Sequence, residues 1–127
     1  MKSRVHHVHL ICSNLEEMIH FFSSSLGAKL VARRKFGTAD GATLDLDGTL
    51  INLRVAREDE KVTGDSAQVR YGYDHLGLEV ENVDAAYEEL KAKGFSFTAP
   101  PSDVEQWRVA FFNGPDNITV ELIHSKA

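Results

Sequence analysis

Cysteine is almost missing from this chain: Cys12 stands alone, so no intrachain disulfide framework exists and a reducing compartment, the cytoplasm, is the expected setting. Long apolar runs are missing too. Nothing approaches the roughly 20 apolar residues a membrane helix requires. The opening MKSRVHHVHL reaches histidines before a signal-peptide core could form, so no leader is expected. An excess of positive charge is also lacking. Fourteen Lys and Arg against nineteen Asp and Glu leave a net charge of -5, which argues against broad nucleic-acid or anionic-membrane binding. A small anionic substrate remains open, because a few arginines can dominate inside one pocket. The 127 residues, 43% of them hydrophobic, suit one domain with one core. At this size roughly two-thirds of the unfolded surface is buried, so folding needs neither disulfide nor structural metal.

What the chain does contain is a repeat. HHVHLICSNLEEMIHFFSSSLGAKL runs beside DHLGLEVENVDAAYEELKAKGFSF, placing His7 on His75 and Asn14 on Asn82. Further on, GTLINL runs beside NITVEL and places Asn52 opposite Glu121. Caps, turns and histidines align together, which chance matching of apolar residues would not produce. The division expected is module one at 1–60, a connector at 61–70 and module two at 71–127.

Each half reads as strand, helix, then three strands. Val5 to Cys12 alternates, with His7, His9 and Ile11 on one side and Val8, Leu10 and Cys12 on the other. Asn14 caps a helix over Leu15–Leu26, with Glu17 three residues on, Gly27 as the stop, and Leu15, Ile19, Phe22 and Leu26 as its apolar stripe. Lys29–Arg34 is a strand, followed by a loop around Gly37 and Gly41. Ala42–Asp47 and Thr49–Val55 form a hairpin at Asp47-Gly48. The second half gives strand His75–Val80, cap Asn82, helix Val83–Lys93, stop Gly94 and strand Phe95–Ala99. Pro100 and Pro101 break the chain there. Trp107–Phe112 and Ile118–His124 pair across Gly114-Pro115-Asp116-Asn117. The fold class expected is α+β: two βαβββ modules related by pseudo-twofold symmetry, forming a curved mixed-sheet cup.

The side chains that alternation turns away from the helices carry the chemistry. They are His7 and His9, Asn52 and Arg54, His75, Gly77 and Glu79, and Thr119, Glu121 and Ile123. A carboxylate such as Glu121 between Val120 and Leu122 is costly to bury without a partner, so it either ligates a metal or pairs with an arginine. His7 and His75 are candidate ligands because the repeat relates them, with Asn52 a subsidiary one. His9 lines the cup. His6, His20 and His124 read as structural or solvent-facing, and Cys12 as a small core hydrophobe. Arg54 and Arg108 read individually as surface salt-bridge partners, one of which could clamp an anionic substrate. Glu79 and Trp107 complete the candidate substrate-binding set.

The paired openings above and the closing NGPDNITVELI resemble the glyoxalase/bleomycin-resistance/dihydroxybiphenyl-dioxygenase superfamily, the vicinal-oxygen-chelate group, over essentially the whole chain. The resemblance implies metal ligands at His7, Asn52, His75 and Glu121. Asn52 departs from the glyoxalase-type and epimerase-type pattern of Glu or Gln. Fosfomycin-resistance enzymes and extradiol dioxygenases, with two histidines and one glutamate, resemble the remaining set better. It further implies one divalent ion (Zn, Ni, Mn, Co or Fe(II)), a small substrate with vicinal oxygens, isomerase, lyase or dioxygenase chemistry, and a homodimer. Glu121, His9 and Glu79 are the candidate bases. The competing reading is a metal-free protein that sequesters an antibiotic-like ligand, with Trp107, Tyr71, Tyr73 and Phe112 as stacking surfaces.

Overall fold

Asn14 and Asn82 open the two helices as their spacing implies. In the computed structural model, which describes residues 1–62 and 69–127, each asparagine is extended and uses its side-chain oxygen as a cap. Asn14 Oδ1 accepts from Glu17 N–H at 3.0 Å and Asn82 Oδ1 from Ala85 N–H at 2.9 Å. Helix α1 covers Leu15–His20 and α2 covers Val83–Ala92. Gly94, at φ 96°, follows the second as its left-handed stop.

The first helix does not run regularly to Leu26. Phe21–Ser25 winds on as a π-helical turn, with Leu26 N–H reaching back to the Phe21 carbonyl at 3.2 Å. Ser23 Oγ–H donates to the Ile19 carbonyl at 2.7 Å, a back-bond that distorts the regular ladder. The wider turn sends two adjacent aromatics inward, leaving Phe21 2% and Phe22 0% exposed. Met18 and Phe21 thereby join Ile19 and Phe22 in the core, whereas Leu15 and Leu26 of the expected stripe are half-buried.

The strands are β1 His7–Ile11, β2 Lys29–Phe36, β3 Ala39–Leu46, β4 Thr49–Arg54, β5 Leu76–Glu79, β6 Phe97–Val104, β7 Trp107–Asn113 and β8 Thr119–Ser125. They form two four-stranded mixed sheets, ordered β1-β4-β3-β2 and β5-β8-β7-β6. In each sheet the outer strand preceding the helix pairs parallel with the last strand of its half, and the other ladders are antiparallel. Each half is thus a βαβββ module, and the chain divides into compact units Met1–Thr63 and Gly64–Ala127. The expected connector at 61–70 includes residues 63–68, which lie outside the described residues.

One face of each sheet is apolar. In the first unit Ala42, Leu44, Ile51 and Leu53 are buried with the α1 segment; in the second, Ala110, Phe112, Val120 and Leu122 are buried with Val83 and Leu90 of α2. Cys12, 3% exposed, belongs to this interior, its thiol against the Arg54 carbonyl.

Three punctuation residues sit inside strands rather than between them. Gly41 is paired in β3 with Arg34 and Arg54, because a Cβ there would collide with the Leu53 carbonyl and the Phe36 ring. Pro100 and Pro101 lie within β6, at the outer edge of the second sheet and where the register shifts between Ala99 and Ser102. An edge strand with a bulge has no inner ladder bond for proline to break.

Candidate metal centre

The second unit assembles its polar face from three neighbouring strands. Gly77 of β5 and Phe111 of β7 flank Glu121 of β8 in one row across the sheet. His75, the residue just before β5, brings Nε2 to 3.2 Å from Glu121 Oε1. Its other nitrogen, Nδ1, donates to Asp74 Oδ2 at 2.7 Å. The Phe111 ring stands edge-on to the imidazole, with centroids 5.4 Å apart. Gly77 keeps the neighbouring space open, since a Cβ there would lie 3.5 Å from Glu121 Oε1.

Electrostatics follow from that arrangement. The Asp74 hydrogen bond raises the His75 pKa most; partial burial opposes it, and the Glu121 carboxylate raises it further. His75 is therefore an imidazole more basic than usual, fixed at Nδ1 and facing a carboxylate with Nε2. Among the described residues, no arginine pairs with Glu121.

This pair suits a divalent ion. Two donors lying about 2.0–2.2 Å from a common ion and set near a right angle stand about 3 Å apart, and His75 Nε2 and Glu121 Oε1 are 3.2 Å apart. An outer carboxylate holding the Nδ1 proton selects the tautomer that offers Nε2 to a metal. Among the described residues, no three His, Cys, Asp or Glu side chains come together as a group that could hold an ion.

The first unit builds the corresponding row from different residues. His9 of β1 and Thr43 of β3 flank Asn52 of β4. Thr43 Oγ–H donates to Asn52 Oδ1 at 2.7 Å, and both residues are buried. Where the second unit has Gly77 beside a carboxylate, this one has an imidazole beside an amide. His9 packs on Phe36, centroids 4.5 Å apart. Its pKa is lowered, first by burial and then by the positive charges of Arg54, His7 and Arg57. His7 opens β1, exposed, with Nδ1 3.0 Å from His6 Nδ1. In both units, then, the residue preceding the paired histidine engages its Nδ1. His6 is exposed, in keeping with its reading as structural or solvent-facing; Asp74 was not singled out in the sequence, and its alignment with His6 in the repeat was the available signal.

The candidate substrate-binding residues are scattered. Arg54 is 8% exposed and forms a two-bond ion pair with Glu60 at 2.6 and 2.9 Å. That pair, with the Arg57 backbone N–H, holds the Glu60 carboxyl down at about 2. Arg108 grips Asp84 at 2.8 and 3.0 Å and Asp103 at 3.1 Å. Its ladder neighbour is His124, one residue out of step with the Glu121 face, so it braces α2 instead. Glu79 lies exposed on the Glu121 face, opposite Ile123. Trp107 lies opposite Ser125, four residues along β7 from Phe111 and hence about 13 Å from that row. Phe112 is unavailable for ligand stacking: it is wholly buried against Phe95 and Phe97. Phe111, one position earlier, is the ring that faces Glu121. Tyr71 is fully exposed, and Tyr73 sends its hydroxyl to the Thr119 carbonyl at 3.4 Å. His20 and His124 are held locally, by Ser24 and the Val80 carbonyl.

Comparison with known proteins agrees with this architecture. The sequence profile of the Glyoxalase/Bleomycin resistance protein/Dioxygenase superfamily matches residues 4–122. A lactoylglutathione lyase of Neisseria meningitidis serogroup A is 26% identical over 98% of this chain and 92% of its own. A glyoxylase/bleomycin resistance protein/dioxygenase domain from Frankia superimposes with a TM-score of 0.82 at 28% identity, covering 98% of this chain and 93% of that one. The fosfomycin resistance protein FosX of Listeria monocytogenes, solved with Mn(II) and sulfate, shares the fold with a TM-score of 0.74 at 20% identity, over 98% and 94% of the two chains.

Proposed function

The chain belongs to the Glyoxalase/Bleomycin resistance protein/Dioxygenase superfamily, and on that premise we propose that it is a divalent-metal-dependent enzyme acting on a small substrate with vicinal oxygens. The observation that carries the proposal is the Asp74–His75–Glu121 relay, with contacts of 2.7 and 3.2 Å on the polar face of the second sheet. The proposed ligands are His75 and Glu121 together with His7, the counterpart of His75 in the repeat, contributed within one chain or by the second copy of a homodimer. Asn52, at the repeat position of Glu121, brings an amide whose oxygen already accepts from Thr43.

A divalent ion with two neutral imidazoles and one carboxylate keeps a positive charge and open positions, so when bound it stabilises negative charge developing on substrate oxygen. The protein's own groups do the rest. Asp74 holds the proton on His75 Nδ1 and orients the ring. Gly77 leaves room beside Glu121 for a bound group. His9, kept neutral by its burial and the nearby arginines, can accept a proton from a substrate carbon or hydroxyl within hydrogen-bond reach. Lyase or isomerase chemistry follows if that proton is returned to substrate. Dioxygenase chemistry requires a redox-active ion such as Fe(II).

The test is metal analysis of tag-free protein. One equivalent of divalent metal per chain is expected, lost in His75→Ala and Glu121→Gln with the fold intact by circular dichroism. Wild-type protein that binds no divalent ion at micromolar concentration would overturn the proposal and leave the ligand-sequestering reading in front.

A further inference from the structure

Arg34 is placed unlike the arginines around it. Arg33 pairs with Glu16, Arg54 and Arg57 with Glu60, and Arg108 with Asp84 and Asp103. Arg34, among the described residues, pairs with no carboxylate. It lies in one ladder row with Gly41 and Arg54, so the two guanidinium side chains leave the same face of the first sheet. The Phe36 ring fills the space that Gly41 leaves open, and Arg34 Cζ lies 5.7 Å from its centroid. Among the described residues, Glu60 alone answers both Arg54 and Arg57, so those three groups also carry net positive charge.

Hydrogen-bond direction adds a second, independent argument. A guanidinium can only donate, so Thr43 Oγ accepts from Arg34 Nη1, 3.4 Å away. The Thr43 proton therefore goes to Asn52 Oδ1, at 2.7 Å. Asn52 thus turns its oxygen to Thr43 and its NH2 away from it, and among the described residues that NH2 has no hydrogen-bond acceptor. What this face offers a ligand is donors: a guanidinium, an amide NH2 and an aromatic ring beside them.

We propose that Arg34 and Asn52, with the Phe36 ring beside them and Thr43 positioning the amide, form a recognition site for an anionic oxygen group of the substrate, a carboxylate or a phosphonate. This deepens the functional reading above and rests on it for the anion being part of a substrate. The Asn52 amide then serves the substrate and not the metal. A guanidinium presents a planar fork that matches two oxygens of such a group, and the amide supplies a further donor.

The site is tested on metal-free protein, stripped on a chelating resin, by nitrogen-edited NMR titration at constant ionic strength. The probes are methylphosphonate, acetate and neutral glycerol. One or both anions should shift the Arg34 Nε–H and Asn52 side-chain NH2 signals, while glycerol leaves them in place. The anion that binds more tightly identifies the group as phosphonate or carboxylate. Arg34→Gln and Asn52→Asp should each weaken binding about tenfold or more, the loss expected for a hydrogen bond to a charged group. Thr43→Val should weaken it less. Arg34 is exposed, so its variant keeps the fold. Unshifted Arg34 and Asn52 signals, shifts reproduced by chloride, or variants that bind as tightly as wild type would overturn the proposal. No metal takes part in the titration, so its result is separate from that of the chelation test.

Discussion

Asp74 offers the most discriminating perturbation of the proposed metal centre. Asp74→Asn keeps the side chain's shape and removes the charge that accepts His75 Nδ1–H at 2.7 Å. The Asp74 side chain is 80% exposed, so no core packing is lost. Removing an outer partner of a metal-bound histidine typically costs 10–100-fold in affinity, and solvent screening puts this site at the low end, about tenfold or about 1.4 kcal/mol. Proton competition supplies a signature. Asp74 raises the His75 pKa above 6.5, so in the wild type a bound proton must be displaced by metal once the pH falls into the range where His75 is protonated. The variant holds that proton less tightly. The loss of affinity should therefore be largest at a pH above the His75 titration and shrink at a pH below it. Competition against a chromogenic chelator with Zn(II) or Mn(II) at the two pH values measures this. Equal affinities at the higher pH, or a deficit that grows on acidification, would refute the reasoning.

Other consequences are independent of that one. Phe22→Ala empties a fully buried position beneath the π-helical turn, and urea unfolding should show a loss of about 3–5 kcal/mol. Gly77→Val puts branches where a Cβ already lies 3.5 Å from Glu121 Oε1; metal uptake should fall at least tenfold with little change in melting temperature, as checked by equilibrium dialysis and thermal melts. Glu60→Gln tests the linkage of the Arg54 ion pair. A carboxyl held at about 2 instead of 4.5 stabilises the fold above about pH 4.5, and that stabilisation is lost as the pH falls through about 2. The variant should therefore unfold more readily than wild type at pH 6 in denaturant titrations and converge with it at pH 2.

The duplicated plan was legible because caps carry their chemistry locally. Asn14 and Asn82 bond N–H groups three residues on, so their alignment read directly as two helix starts. The faces of β1, β4, β5 and β8 were legible for a similar reason, since alternation assigns a side chain's direction without knowledge of its neighbours. Features set by neighbouring strands were not. Gly41 looked like loop punctuation until the Phe36 ring above it was placed. Pro100-Pro101 looked like a break because nothing local reveals that β6 is an edge strand with a shifted register. The adjacent Phe111 and Phe112 could not be sorted until β7 was set against β8, which turns Phe111 toward Glu121 and buries Phe112. Arg54 and Arg108 are both salt-bridged, but Arg54 is buried and not at the surface as expected, and their partners, Glu60 from beyond the strand and Asp84 from α2, depended on tertiary placement. Asp74 and Thr43 escaped notice because each acts through a neighbour, His75 and Asn52 respectively.

Sharing of one ion by His7, His75 and Glu121 is the central claim, and X-ray absorption on the Zn(II)-loaded protein tests it most directly. The account predicts an all-nitrogen and oxygen shell at about 2.0–2.2 Å with multiple-scattering features of two imidazoles, reduced to one in His7→Ala and to one in His75→Ala. A wild-type shell containing a single imidazole, or one left unchanged by His7→Ala, would contradict it.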